Sequence, residues 1–122
     1  MSSGEFRFVF YPNNYEATVA FYGEDLGLPI VGGWDRGPDD RGTLFGAAAG
    51  IIEVVYRGDH EFTPPVGAWL LFQVDDVDEL HRRVKEKRLP VKLELTNRPW
   101  GHREFQVTDP NGIVVAVFSK IG

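Results

Sequence analysis

Chemistry-bearing residues crowd one segment, Pro99-Trp100-Gly101-His102-Arg103-Glu104-Phe105, which puts an indole, an imidazole, a guanidinium and a carboxylate within five positions. An imidazole titrates near neutrality, so beside a carboxylate it can take up a proton. His102 is therefore the candidate general base of the chain. The competing reading makes His102 a hydrogen-bonded strand residue beside an aromatic, with Trp100, His102 and Glu104 lining a pocket wall without turnover. Arg103 shares the parity of Phe105 on the expected strand and is placed to anchor that strand to carboxylates. Away from this segment, Arg7 and Glu53 are opposite charges on two strand-like runs, and Trp69 opens a third. His60 falls in a polar connector and His81 in a helical pattern, and both read as solvated surface. With no cysteine in the chain, disulfides and thiol catalysis are excluded. Gly32-Gly33 lacks the strand, spacing and helix of a phosphate loop. No Ser-His-Asp arrangement is readable from the spacing.

The elements that position these residues follow from periodicity. Phe6, Phe8 and Phe10 alternate with Arg7 and Val9, as on a two-faced strand. Asn13-Asn14 then caps a helix expected over Tyr15 to Leu26, which Gly27 stops. Strands are expected at Leu28–Val31, Gly42–Ala47 and Ile51–Tyr56. The connector Arg57–Val66 carries Pro64 and Pro65. The order then repeats: Trp69–Val74 as a strand, Asp75-Asp76 capping a helix with the stripe Val77, Leu80 and Val84, a short strand opened by Leu89-Pro90-Val91, and strands at Arg103–Thr108 and Ile113–Phe118. Asp109-Pro110-Asn111-Gly112 is a tight turn between the last two. Leu28-Pro29-Ile30 echoes Leu89-Pro90-Val91, and Gly50-Ile51-Ile52 echoes Gly112-Ile113-Val114. Two similar modules, about 5–57 and 67–120, are joined by a connector at 58–66 within one domain, 1–122.

Composition bounds the function. A chain of 122 residues can bury one core, and a net charge of −5 disfavours nucleic acid. The basic cluster His81-Arg82-Arg83 with Lys85, Lys87 and Arg88 reads as a solvated helix face. No apolar run reaches membrane-spanning length. The N-terminus lacks a secretory signal pattern, which gives a cytoplasmic expectation. Nine Phe, four Tyr and three Trp are enough to line a cavity as well as a core. An acidic protein suits a cationic ligand.

Three segments carry a resemblance. Phe21-Tyr22-Gly23-Glu24-Asp25-Leu26-Gly27-Leu28 is similar to FYxxxLGL, Phe72-Gln73-Val74-Asp75-Asp76-Val77 to FxVxDV, and Pro99–Phe105 with Asp109–Gly112 to PWGxREFxxxDPxG. In this order, around an internal repeat, they resemble the vicinal oxygen chelate superfamily of glyoxalase I, bleomycin-resistance proteins and extradiol dioxygenases. The resemblance implies an α+β fold: two βαβββ modules forming a curved mixed sheet around a cleft, with helices on the outer face and often a second subunit. It also implies a divalent metal held at four positions, which fall here on Arg7, Glu53, Trp69 and Ala116. Only Glu53 can ligate, because guanidinium and indole nitrogens offer no lone pair and alanine offers nothing. A slip of one residue turns each side chain to the opposite face and reaches no histidine.

The reading that follows is a metal-independent, small-molecule-binding protein of the glyoxalase and bleomycin-resistance type, a homodimer, with drug sequestration as the implied role and a cationic drug such as bleomycin as one fit. Trp69 and Trp100 would stack on a flat ligand and Arg7, Glu53, His102 and Glu104 would orient it. Trp34 is expected near the pocket mouth. Arg7 and Glu53 are expected to approach as an ion pair, the guanidinium standing where a metal's charge would be. The alternative is a lyase, isomerase or dioxygenase using a divalent metal with Glu53 and His102, or His102 as a base without metal. A third reading is a regulatory module whose cleft is collapsed.

Overall fold

Burial of alternate aromatic and β-branched residues decides where each strand faces, and the ladders confirm the two expected repeats. The computed structural model describes residues 4–58 and 63–121; His60, expected as solvated surface, lies outside the described residues. The chain divides into two compact units, Met1–Pro64 and Pro65–Gly122.

The first unit runs β1 (Arg7–Phe10), α1 (Tyr15–Ala20), a π-helical turn (Phe21–Asp25), β2 (Ile30–Asp35), β3 (Asp40–Ala47) and β4 (Gly50–Arg57). Its sheet order is β1-β4-β3-β2, with β1 parallel to β4 and the other pairs antiparallel. The second unit repeats this: β5 (Trp69–Gln73), α2 (Val77–Glu86), β6 (Val91–Asn97), β7 (His102–Thr108) and β8 (Val114–Lys120), in the order β5-β8-β7-β6 with β5 parallel to β8. The α+β class and the βαβββ order are as the sequence implies, built as two four-stranded mixed sheets, one per module.

Each helix covers one face of its own sheet. In the first unit Tyr22 packs against Phe10 and Phe45, and Ile52 and Val54 are buried beside them. In the second, His81 of α2 lies on Phe105, whose ladder partner is Val117, while Val77, Val84, Val107 and Val115 are almost fully buried. Each such aliphatic or aromatic side chain contributes about 1.5–3 kcal/mol of burial free energy. The parity that sends Phe72, Phe105 and Val117 toward α2 sends Trp69, Leu71, Gln73, Glu104 and Ala116 to the other face.

Local chemistry fixes the joints. Asn14 Oδ1 accepts from Ala17 N at 3.0 Å, and Asp76 Oδ1 accepts from Glu79 N at 3.0 Å, so both helices carry side-chain caps. The first helix is shorter than expected: after Ala20 it widens, with Leu26 N donating to Phe21 O at 2.9 Å, one residue beyond α-helical spacing. Pro29 and Pro90 precede their strands rather than joining them, since they cannot donate. Their carbonyls instead accept from Gly46 N at 2.8 Å and Thr108 N at 3.0 Å, matching roles that explain the Leu-Pro echo. In the Asp109–Gly112 turn, Asp109 Oδ1 accepts from Asn111 N at 2.8 Å and Ile113 N at 2.9 Å, and Gly112 adopts φ +85°.

The glycine echo proves one residue out of step. Arg7 pairs with Ile51 and Trp69 with Val114, and Glu53 and Ala116 lie next to Leu44 and Gln106. Glu53 is therefore the counterpart of Ala116, and Ile51 of Val114 rather than Ile113.

Candidate functional site

Of the residues singled out in the sequence, Arg7, Glu53, Trp69, His102 and Glu104 lie on the sheet faces that the helices leave uncovered. In the first unit, Arg7 on β1 and Glu53 on β4 share that face, two register steps apart. Arg7 Nη1 donates to Glu53 Oε1 at 2.8 Å, and Arg7 Nε to Glu5 Oε1 at 2.5 Å. The expected ion pair is present. Hydrogen bonds to Glu5 and Glu53 hold the guanidinium's pKa further above its ordinary value, so it is a fixed cation. Trp34 on β2 has a packing role: its indole lies on Gly42, where a Cβ would fall 2.3 Å from the ring, and its Nε1 donates to Asp40 Oδ1 at 2.8 Å. That hydrogen bond is the leading cause that holds the Asp40 carboxyl below its ordinary range.

In the second unit, the uncovered face carries Trp69 and Leu71 on β5, 56% and 55% exposed. Behind them the ladder sets Leu71 beside Ala116 and Ala116 beside Gln106, then Gln73 beside Phe118 and Phe118 beside Glu104. Glu104 is only 4% exposed, and Gln106 Nε2 donates to its Oε2 at 2.8 Å. Trp100, 57% exposed in the turn before β7, carries the Arg98 guanidinium 4.5 Å from its ring centre.

His102 shares the parity of Glu104, yet its ring is stacked on Phe118, with centroids 3.7 Å apart and planes 11° from parallel. Its Nδ1 is buried without a hydrogen-bond partner, and among the described residues no carboxylate hydrogen-bonds the imidazole. The pairing that would make it a base is thus missing, since Glu104 is engaged by Gln106. His81 also departs from expectation. Rather than standing in solvent, it packs on Phe105 at 5.3 Å between ring centres and lies 3.0 Å from Glu94 Oε1, because α2 turns it down onto the sheet. Arg103 anchors as expected, its Nη2 donating to Asp78 Oδ1 at 2.9 Å and its Nη1 to Asn97 Oδ1 at 3.0 Å. The basic run of α2 is a paired helix face: Arg82 with Glu79 and Glu86, Lys85 with Glu94.

Residues 6–117 match the Glyoxalase/Bleomycin resistance protein/Dioxygenase superfamily. The chain belongs to that superfamily. Among solved structures, it is similar to TnmS3, an antibiotic binding protein from Streptomyces sp. CB03234. The two are 25% identical with a TM-score of 0.77, over 98% of this chain and 97% of that one. A glyoxalase/bleomycin resistance protein from the same organism is 25% identical with a TM-score of 0.76, over 95% of this chain and 100% of that one. TioX from Micromonospora sp. ML1, at 18% identity and a TM-score of 0.78 over 98% and 100%, shares the fold. No curated protein matches in sequence.

Superfamily membership makes a metal test necessary, and the donors do not fit one. Of Arg7, Glu53, Trp69 and Ala116, only Glu53 can ligate, and its carboxylate already holds Arg7. A zinc-type site takes three or four such donors, and one carboxylate already paired with a guanidinium falls short of that. Among the described residues, no group of three His, Cys, Asp or Glu side chains is placed to hold one.

Sequence reasoning missed three groups on these faces: Gln106, Lys92 and Phe118. Gln106 was readable, since it shares parity with Glu104. Lys92 was not, because its ammonium meets Trp69, 5.3 Å from the ring centre, from the opposite edge strand of the sheet. No helix among the described residues is long and apolar enough to cross a membrane.

Proposed function

We propose that this member of the superfamily binds a small, flat organic molecule without a metal and without turnover, as a sequestering protein. The observation that carries the reading is the pair Trp69 and Leu71, large apolar side chains more than half exposed on a sheet face that the helix leaves uncovered. Exposed aromatic surface of this kind is costly in water and is recovered by stacking a planar ligand. The Arg7–Glu53 pair supports metal independence, since a fixed cation occupies the one usable carboxylate. The similarity to TnmS3, whose description is an antibiotic binding protein, supports a drug-like ligand.

The enzymatic alternative lacks a supporting contact, because His102 is stacked on Phe118 rather than coupled to an acid. A homodimer belongs to the proposal: Phe6 and Val9, at and beside the edge strand β1, are exposed apolar surface a second copy would cover. The test is a thermal-shift screen of planar aromatic antibiotics and divalent metals. A ligand that binds only the folded state raises the melting temperature with the logarithm of its concentration. The expected result is a shift with at least one antibiotic that is unchanged by chelator and weakened about tenfold by Trp69→Ala. A shift with metal alone, or a chelator-sensitive one, would overturn the proposal.

A further inference from the structure

The charge of the ligand is also written on this face. β6 does not pair evenly with β7: Val91 lies opposite Val107 and Leu93 opposite Gln106, so the register shifts at Lys92. Such a bulge sets two residues against one and re-aims a side chain. Here it brings the Lys92 ammonium to 5.3 Å from the centre of the Trp69 ring, across the sheet from the opposite edge. That distance is within cation–π range, so one side of the indole carries a cation.

Lys92 is unusual in its company. Arg7, Arg36, Arg41, Arg57, Lys85 and Arg103 each face a carboxylate within salt-bridge distance. Among the described residues Lys92 has no such partner, and neither does Arg98, the cation on the other exposed indole, Trp100. A chain with a net charge of −5 has carboxylates to spare, yet none is set against these two. The one carboxylate on this face in β7, Glu104, is buried, takes a hydrogen bond from Gln106, and sits in the row of Gln73, four register steps from the row of Trp69.

We infer that Lys92 is a specificity-determining residue that selects flat aromatic ligands bearing an acidic group, such as a carboxylate, sulfonate or phenolate, over cationic ones. The inference rests on the proposed binding role of Trp69 and adds to it the sign of the ligand. It reverses the expectation from net charge, because beyond about 8 Å surface charges are screened at physiological salt, and the nearest unpaired charge decides. A ligand on Trp69 stacks its ring on the indole and places its anion within reach of the ammonium. A cationic ligand of the same shape meets repulsion at the same point.

Three probes of one shape separate the effects: 1-pyrenesulfonate, 1-pyrenemethanol and 1-pyrenemethylammonium, with dissociation constants read by fluorescence anisotropy on wild type, Lys92→Gln, Lys92→Glu and Trp69→Ala. Far-ultraviolet circular dichroism confirms the fold of each variant. In wild type the sulfonate should bind about fivefold more tightly than the ammonium probe, as one partly exposed charge pair allows. Lys92→Gln should remove that preference, changing the ratio of sulfonate to ammonium affinity more than the affinity of the neutral probe, and Lys92→Glu should invert it. An ammonium probe that binds wild type as tightly as the sulfonate, or an order indifferent to Lys92→Glu, would overturn the inference and leave the binding role of Trp69 standing. Failure of all three probes to bind, or binding indifferent to Trp69→Ala, would overturn both.

Discussion

Trp69 and Phe72 are three positions apart on one strand, with opposite fates that test the assignment of faces. Trp69 stands on the uncovered face, while Phe72 is buried toward α2. Phe72→Ala should cost about 3–5 kcal/mol of stability in urea unfolding, the loss typical of a buried aromatic. Trp69→Ala should change stability by less than about 0.5 kcal/mol, as surface substitutions do, while weakening ligand binding. Equal losses would mean that Trp69 is core. Arg7 and Glu53 make a second residue-scale case. Arg7→Met leaves the largely buried Glu53 carboxylate without its cation and should lower the urea midpoint, and adding Glu53→Met should recover most of the loss. A double variant weaker than either single would show that the pair holds more than itself. Both residues were legible as a pair because the resemblance puts them at converging positions on the first and last strands of one module. For His102 the strand position beside an aromatic was legible but the partner was not, because the ring that stacks on it comes from Phe118 on the neighbouring strand, and no local pattern in Trp100–Glu104 announces it.

Elements were legible wherever their signals are local. Asn14 and Asp76 cap as their positions imply, the proline echo marks where β2 and β6 begin, and the Asp109–Gly112 turn closes as its composition dictates. The π-helical turn at Phe21–Asp25 was not legible, since apolar spacing cannot distinguish i−4 from i−5 bonding. The bulge at Lys92 was equally hidden, because register belongs to a pair of strands and not to one. At this scale, α2 is tied to its sheet by charge. Arg103 of β7 holds Asp78 below its ordinary range through hydrogen bonds, and Lys85 and then His81 do the same for Glu94 of β6. A carboxyl whose folded pKa is depressed binds its proton more readily when unfolded, so stability rises with pH through this range. The contribution is complete above the unfolded values, about pH 4 to 4.5, and is lost as the pH falls below them. Urea midpoints measured from pH 7 to pH 3 should therefore decline at the acid end, and Asp78→Asn should flatten part of that decline. Because these groups are exposed, 1 M salt should shrink the effect, whereas a salt-independent decline would assign it to other groups.

For the whole molecule, the repeat explains both what the sequence showed and what it could not. Each module folds by the same strand order, so hydrophobic period, caps and turns appear twice and the βαβββ architecture could be read from one chain. The ladders align Arg7 with Trp69 and Glu53 with Ala116, and the two modules differ at these positions: one carries a carboxylate and neutralises it, and the other carries none. Since transition-metal sites of this kind hold their ion with three or more protein ligands, the lack of a donor at three of the four positions should abolish such affinity rather than weaken it. Protein purified in buffer containing zinc and manganese, then dialysed without chelator, should carry well under one metal per chain by plasma mass spectrometry. Its melting temperature should be the same with and without added metal, and its affinity for a flat aromatic ligand should not respond to chelation. Stoichiometric metal retained through dialysis would require a donor set other than these four positions and would return the chain to the enzymatic branch of its superfamily.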